Sequence, residues 1–314
     1  MKTKIIVVAG PTASGKTALG IALAKALNGE IICADSMQVY RSMPIATAAP
    51  TPEETAQAPH HLNEILSPSE DFSVAKFCEM AEDAVKDICG RGKVPIIVGG
   101  TGLFIDSFID NIQFTKAQTD FELREKLSKK DNDELYAELV KVDPQAAAQI
   151  HKNNKVRVVR ALELYYTTGA TKTTQNDLSR KNESPYEALY FVLDYSDREV
   201  LYQRINKRVD LMLEKGLVHE AESALSKAGR TSRQAIGHKE LKPYFDGECS
   251  LGEAVDNLKR ETRRYAKRQL TWFRRRQNAV WLYADKTDTE TLYENAIQQA
   301  KDFLNGKNES AKKE

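Results

Sequence analysis

The stretch Gly10-Pro11-Thr12-Ala13-Ser14-Gly15-Lys16-Thr17 directly follows the apolar run Ile5-Ile6-Val7-Val8. An apolar strand that ends in Gly-x4-Gly-Lys-Thr and opens a helix is a phosphate cradle. Its backbone N–H groups converge on anionic oxygens, Lys16 adds a point charge, and the Thr17 hydroxyl can hold Mg²⁺. The backbone has to turn sharply and approach the phosphate without a Cβ in the way, which asks for Gly10 and Gly15. The pattern is that of nucleotide and ATP sites, but the loop fixes a phosphate ligand without saying which one.

Outward from this loop, apolar runs alternate with helical patterns, the mark of a parallel sheet with helices on its faces. Strands are expected at Lys4 to Ala9, Glu30 to Ala34, Pro95 to Val98, Ala188 to Leu193 and Ala279 to Tyr283. Helices are expected from Gly15 to Leu27 and from Val74 to Cys89. The Pro-rich stretch from Pro44 to Pro68 reads as a long surface loop. From Phe114 to Pro185 short helical segments replace strands. There Asp143-Pro144 gives an N-cap with Pro at the first helical position, and Asn154 to Thr168 ends on Gly169 as a C-cap. Further helices follow at Arg198 to Lys215, Leu217 to Ala228, Gln234 to Tyr244 and Leu251 to Arg275. The expected architecture is α/β: a P-loop-type parallel sheet flanked by helices, with an all-helical insertion domain. The core takes residues 1–113 and 188–304, the insertion 114–187, and a frayed polar tail 305–314.

The 314 residues are 41% hydrophobic and 29% charged, enough for a core and about two domains. No apolar run reaches membrane-span length, and Met1-Lys2-Thr3-Lys4 leaves no room for a signal peptide, so a cytoplasmic protein is expected. Cys33, Cys78, Cys89 and Cys249 show no Cys-x-x-Cys pair and read as reduced packing residues. Charge is unevenly spread. Between Lys259 and Arg276 nine Lys and Arg face the single acid Glu261, a balance of +8, so the rest of the chain carries −7 of the net +1. Such an edge suits a polyanion.

Asp35 stands at the end of strand two, as the loop stands at the end of strand one; ligands of open α/β sheets bind at that edge. An Asp there can hold Mg²⁺ through water, take a proton from an attacking group, or merely cap the next helix. Gly99-Gly100-Thr101-Gly102 adds a third strand end, with glycines that let the backbone approach a ligand and leave Thr101 pointing at it. His60 and His61 lack partners at ligand spacing, so a structural or substrate-lining role is favoured over a metal site. In the Leu251 to Arg275 helix, Leu258, Thr262, Tyr265, Gln269 and Trp272 form the core-facing stripe. Arg260, Arg263, Arg264, Lys267 and Arg268 occupy much of the rest. A solvated face normally mixes signs, so nucleic-acid phosphate is favoured, and membrane lipid less so.

Taken in series, these stretches resemble one family, the tRNA dimethylallyltransferases or isopentenyl-tRNA transferases. The matching residues are GPTASGKT (10–17), ADSMQVYRSM (34–43), PHHL (59–62), VGGTGLF (98–104), VRALEL (159–164), RINKRVDLMLEKGLVHEAE (204–222), AIGHKE (235–240) and RYAKRQLTWFRR (264–275). The likeness covers nearly the whole chain except the tail. It implies a prenyl transfer from dimethylallyl diphosphate to N6 of adenosine 37, beside the anticodon of tRNA, with loss of diphosphate. On that resemblance Asp35, Thr101 and Arg208 are catalytic. Gly10, Pro11, Thr12, Ala13, Ser14, Gly15, Lys16 and Thr17 bind the diphosphate, with Mg²⁺ at Thr17. Asp35, Ser36, Met37, Gln38, Thr101 and His238 would meet the tRNA at the site, Arg263, Arg264 and Lys267 along the basic helix, and Arg124, Arg157 and Arg160 from the insertion. A monomer is expected. The chain departs from the family pattern at Ala46 and Ala49, expected as Gly and Lys, and at Val156, expected as Gln. Phe104 and His238 stand where Tyr is usual.

Three rival readings compete. A small-molecule kinase using ATP explains the loop and Asp35 but leaves the basic helix and the insertion without a task. An enzyme prenylating free adenine nucleotides is separated by the salt dependence of binding, since a tRNA enzyme should lose affinity steeply as salt rises, and a non-enzymatic RNA-binding protein has no use for Lys16 beside Asp35.

Overall fold

Alternation inside β1 (Thr3–Ala9) sets the layers. Ile5 and Val7 enter the core on one face and Ile6 and Val8 the core on the other, all four fully buried. A strand buried on both faces needs helices above and below, and parallel pairing needs a crossover between strands. The computed structural model of the chain, which describes residues 2–114, 120–179 and 182–306, meets both demands.

The first half continues with α1 (Lys16–Leu27), β2 (Gly29–Cys33), α2 (Pro44–Thr47), α3 (Pro52–Thr55), β3 (His60–His61), α4 (Val74–Gly90), β4 (Val94–Gly99) and α5 (Gly102–Ile109). Five helices follow: α6 (Phe121–Lys129), α7 (Asn132–Val142), α8 (Pro144–Gln149), α9 (Lys155–Thr168) and α10 (Lys172–Ser179). The chain then runs through β5 (Tyr186–Asp194), α11 (Arg198–Glu214), α12 (Leu217–Lys227), α13 (Lys242–Phe245), α14 (Leu251–Phe273), β6 (Ala279–Tyr283) and α15 (Thr289–Leu304). The six strands form one parallel sheet in the order β3-β2-β4-β1-β5-β6. Met1–Ile109 with Pro185–Glu314 make one compact unit, and Asp110–Ser184 a second. The helices of the second unit pack around Leu127, Leu135, Leu139, Ile150, Val158 and Leu162. There α9 starts at the Asn154 cap and stops at Gly169, which sits at φ 71°. None of the described helices is long and apolar enough to cross a membrane.

Several expectations change. The Pro44 to Pro68 stretch is not bare loop: Pro44 and Pro52 each sit at the start of a single-turn helix, where a missing N–H costs nothing, and Thr51 and Glu54 close a capping box. His60 and His61 form the edge strand β3 beside β2. Conversely, Gln234 to Tyr244 is no continuous helix. Gly237 takes φ 110° and gives its N–H to Glu240 Oε2 (2.9 Å), so the chain turns there and α13 begins only at Lys242, ahead of Pro243. Helices α5 and α15 were not anticipated, and β5 starts at Tyr186, two residues before Ala188. The tail expected to fray lies, beyond Gly306, outside the described residues. All four cysteines are free thiols; burial pushes Cys33 and Cys78 up to about 12, which keeps them inert.

The β2–β3 edge is pinned by charge. Glu30, 2% exposed, accepts from Arg91 Nη2 (2.7 Å) and Lys93 Nζ (2.6 Å) and contacts His61 Nε2 (2.7 Å). Arg91 above all, then Lys93 and His61, hold the Glu30 carboxyl well below the usual carboxylate range despite its burial. This gives His61 its structural role. A carboxylate with a depressed pKa stabilises the fold above its unfolded pKa and loses that contribution as pH falls. Glu30→Gln is expected to cost ~2 kcal/mol at neutral pH, below the range for fully buried pairs because its cationic partners keep solvent contact. Denaturant unfolding checks this, and the gap to wild type should narrow as pH falls below about 4.

Candidate active site

Residues 10–15 carry the chain from β1 into α1. Gly15 caps the helix in the left-handed region (φ 97°, ψ 10°), so no side chain occupies the first-turn N–H groups. Ser14 Oγ is buried with no hydrogen-bond partner, and the Thr17 hydroxyl has none among the described residues. Orphaned hydroxyls at an uncapped helix start, beside an ammonium, fit an anionic ligand, and Thr17 suits a hard cation bound with it. Lys16 Nζ rests 3.3 Å from Pro11 O. Burial pushes Lys16 down to about 8; the Arg208 charge pushes the same way and Asp35 opposes. Arg208, on α11, is likewise pushed down by burial, with Asp35 opposing.

Because β4 lies between β1 and β2, three strand ends come together. Ala34 N–H donates to Val98 O (2.8 Å) and Thr101 N–H to Ala34 O (3.2 Å). Thr101 Oγ1 accepts from Ser36 N–H (3.1 Å), and Asp35 Oδ1 accepts from Met37 N–H (2.9 Å). Asp35 therefore closes a local turn instead of capping a helix, and its second oxygen has no hydrogen bond among the described residues. A cavity of about 250 Å³ opens here. Its walls include Thr12 and Lys16, Asp35 to Gln38, Arg208, Gln234 to Gly237 with Lys239, and Tyr265, Arg268 and Gln269 of α14.

The glycines after β4 have a different task from the one expected. A Cβ on Gly100 would lie 2.3 Å from Gln269 Nε2, and one on Gly102 would lie 2.2 Å from Trp272 Cδ1. They admit α14 to the sheet edge instead of a ligand. Gln269 then donates to Gly100 O (2.9 Å) and accepts from Thr12 N–H (2.9 Å), tying two loops to one helix.

The other expected contacts divide. Gln38 lines the cavity, but its Nε2 is held by Thr47 O (3.2 Å) and Ala48 O (2.9 Å). His238 is corrected: it is 1% exposed, with Nε2 3.1 Å from Glu220 Oε1, so it braces the loop whose Ile45 and Ala46 N–H groups Glu220 also holds. It cannot touch RNA from there. Arg263 turns to Asn206 Oδ1 (2.6 Å), whereas Arg264 and Lys267 are exposed. In the second unit Arg124 and Arg160 both bind the fully buried Glu163 (2.8 and 2.9 Å), which makes them structural partners first. Arg157 is exposed with no ion pair among the described residues, and Val156 is 80% exposed.

Tyr265 is the residue the sequence hid. It scored as one more apolar position, yet its side chain lines the cavity. Burial pushes its hydroxyl pKa well up, the Asp35 charge adds to this, and Thr101 beside it opposes. Arg268 lies over its ring, 5.7 Å from the centroid. Tyr at i, Arg at i+3 and Gln at i+4 share one helix face, and that spacing was the available signal.

Residues 38–276 match the IPP transferase family model and residues 3–60 the isopentenyl transferase model. A tRNA dimethylallyltransferase of Acetivibrio thermocellus is 47% identical over 96% of this chain and 97% of its own. The crystal structure of the full-length tRNA isopentenylpyrophosphate transferase of Bacillus halodurans superposes with a TM-score of 0.71 at 43% identity, covering 98% of this chain and 97% of that one. A eukaryotic dimethylallyltransferase acting on tRNA superposes at 0.81 with 34% identity, over 97% of this chain and 80% of that one. On the family model and the near-complete overlap with these relatives, the chain belongs to the tRNA dimethylallyltransferase (IPP transferase) family.

Proposed function

We propose that the protein transfers a dimethylallyl group from dimethylallyl diphosphate to N6 of adenosine 37, next to the anticodon of tRNA, and releases diphosphate. The carrying observation is that Lys16, Arg208 and Asp35 line one cavity, two cations for the leaving group and one carboxylate for the amine. The N6 lone pair attacks C1 of the prenyl chain, the C1–O bond breaks with its electrons going to the diphosphate, and the N6 proton passes to Asp35. N6 is a poor nucleophile because its lone pair is delocalised into the purine, so a carboxylate partner assists it. Thr101, fixed by Ser36 N–H, hydrogen-bonds at the reacting centre. Lys16, Arg208 and the N–H groups at the start of α1 stabilise the charge developing on diphosphate. Thr17 would hold Mg²⁺, which supplies further charge neutralisation when bound.

N6 is shielded in a stacked loop, so the base must be extruded at a cost of a few kcal/mol. Exposed cations of α14, with Arg157 of the insertion, offset this through backbone phosphate. The donor and the base enter from opposite ends, which keeps water from the prenyl carbon. The reading is of a monomer acting in the cytoplasm.

Three outcomes are expected. Asp35→Ala should lower kcat by about 100-fold or more while tRNA binding, measured separately, is retained; normal turnover would remove Asp35 from the mechanism. Bound diphosphate favours charged Lys16, whose free pKa is about 8. Donor affinity should thus be flat between about pH 7, where the diphosphate is fully ionised, and about pH 8, and fall by up to about tenfold per unit above that, with proton uptake on binding; calorimetry in buffers of different ionisation enthalpy reads this directly. Replacing Arg264 and Lys267 by Gln should weaken tRNA binding and reduce the log–log salt slope by about two, leaving donor binding unchanged.

A further inference from the structure

A cleft of about 440 Å³ lies at the ends of β5 and β6, lined by Asp194, Tyr195, Arg198, Arg274, Trp281 and Tyr283 among others. It takes no part in the chemistry above. Trp281 and Tyr283 project from the same face of the edge strand, their rings 6.3 Å apart and nearly parallel at 20°. Tyr283 is 39% exposed although it sits in a strand. The charges around the rings are unequal. Asp194, 1% exposed, is neutralised by Arg198 (3.0 Å), whereas Arg274, exposed at the end of α14, has no side-chain hydrogen bond or ion pair among the described residues. One uncompensated guanidinium therefore borders an aromatic platform. Two more acids lie nearby: Asp285 is engaged by Ser196 Oγ (2.7 Å) and by the N–H groups of Ser196 and Asp197 (both 2.8 Å), and Asp197 Oδ1 caps α11 by accepting the N–H of Glu199 (2.8 Å).

Stacked aromatic faces beside a free cation are what a single-stranded nucleotide meets on its binding surfaces: every base has a π-face, and its phosphate seeks an arginine. The cleft also continues the basic run of Lys259 to Arg276, whose balance is +8. We propose that this cleft is a second RNA contact, in which an unstacked base of the tRNA lies on Tyr283 with its phosphate at Arg274. The inference rests on the reading that the protein acts on tRNA. It adds a contact set apart from Lys16, Asp35 and Arg208, with aromatic recognition where α14 offers only charge.

The test is equilibrium binding of an unmodified tRNA transcript to the full protein, without prenyl donor, across a salt series, with steady-state kinetics alongside. Tyr283→Ala should weaken binding about tenfold, Tyr283→Phe should bind like wild type, and Arg274→Gln should reduce the log–log salt slope by about one. In prenylation the loss should appear in KM for tRNA and not in kcat or in KM for dimethylallyl diphosphate. Wild-type affinity for Tyr283→Ala together with a wild-type slope for Arg274→Gln would overturn the proposal. A Phe variant as weak as the Ala variant would overturn it too, since stacking needs only the ring. Absence of any prenylation by the wild-type protein would sink the proposed function instead, while the binding comparison still reads the cleft.

Discussion

A single amide governs the geometry of the site. Gln269, 6% exposed, accepts the N–H of Thr12 with one atom and donates to the carbonyl of Gly100 with the other. The phosphate loop and the loop after β4 are therefore held to α14 and, through it, to each other. A buried amide satisfied on both sides is stiff, because breaking either bond strands a polar group away from water. Glycine at 100 and 102 is the steric condition for this contact, since any Cβ there would push the helix off the sheet. The same helix carries Tyr265 into the cavity and Arg264 and Lys267 outward, so cavity-lining and exposed cationic groups share one rigid support.

Electrostatics complete what packing arranges. Four cations, Lys16, Arg208, Lys239 and Arg268, line the cavity with one carboxylate, Asp35, and burial pushes Lys16 and Arg208 toward their neutral forms. Without ligand the site holds an excess of positive charge in a poorly solvated place. In the proposed reaction a diphosphate would restore the balance, and because its charge increases as the C–O bond lengthens, the stabilisation would grow along the reaction coordinate. Asp35 opposes the push of burial on both Lys16 and Arg208, and its second oxygen carries no hydrogen bond among the described residues. Ser14 and Thr17 add hydroxyls that have no hydrogen-bond partner among the described residues.

Much of this was legible in the sequence, for identifiable reasons. The inner strands β1, β2 and β4 are buried on both faces and read as apolar runs; α9 announced itself through its Asn154 and Gly169 caps. That the loop, Asp35 and Thr101 meet at neighbouring strand ends was legible because each follows an apolar run. Less legible were features set by tertiary contact. Pro44 and Pro52 read as breakers but serve as helix starts, and the helical pattern around Gln234 gave way to Gly237 and Pro243. A buried carboxylate, Glu163, claimed Arg124 and Arg160, and another, Glu220, claimed His238. No local pattern reveals which acid a long cation will find.

Those claimed residues bear on how the departures from the family pattern are tolerated. Glu220 receives the N–H groups of Ile45 and Ala46, both at 2.8 Å, and His238 supports its carboxylate. The loop that carries Ala46 is thus placed through its backbone, and the small side chain at 46 packs beside Gly237, where an added Cβ would come within 3.1 Å of it. Gln38 holds the following carbonyls of Thr47 and Ala48 from the opposite side. The histidine at 238 belongs to this bracing: it gives Glu220 a polar partner inside the fold, where an unpaired carboxylate would be costly.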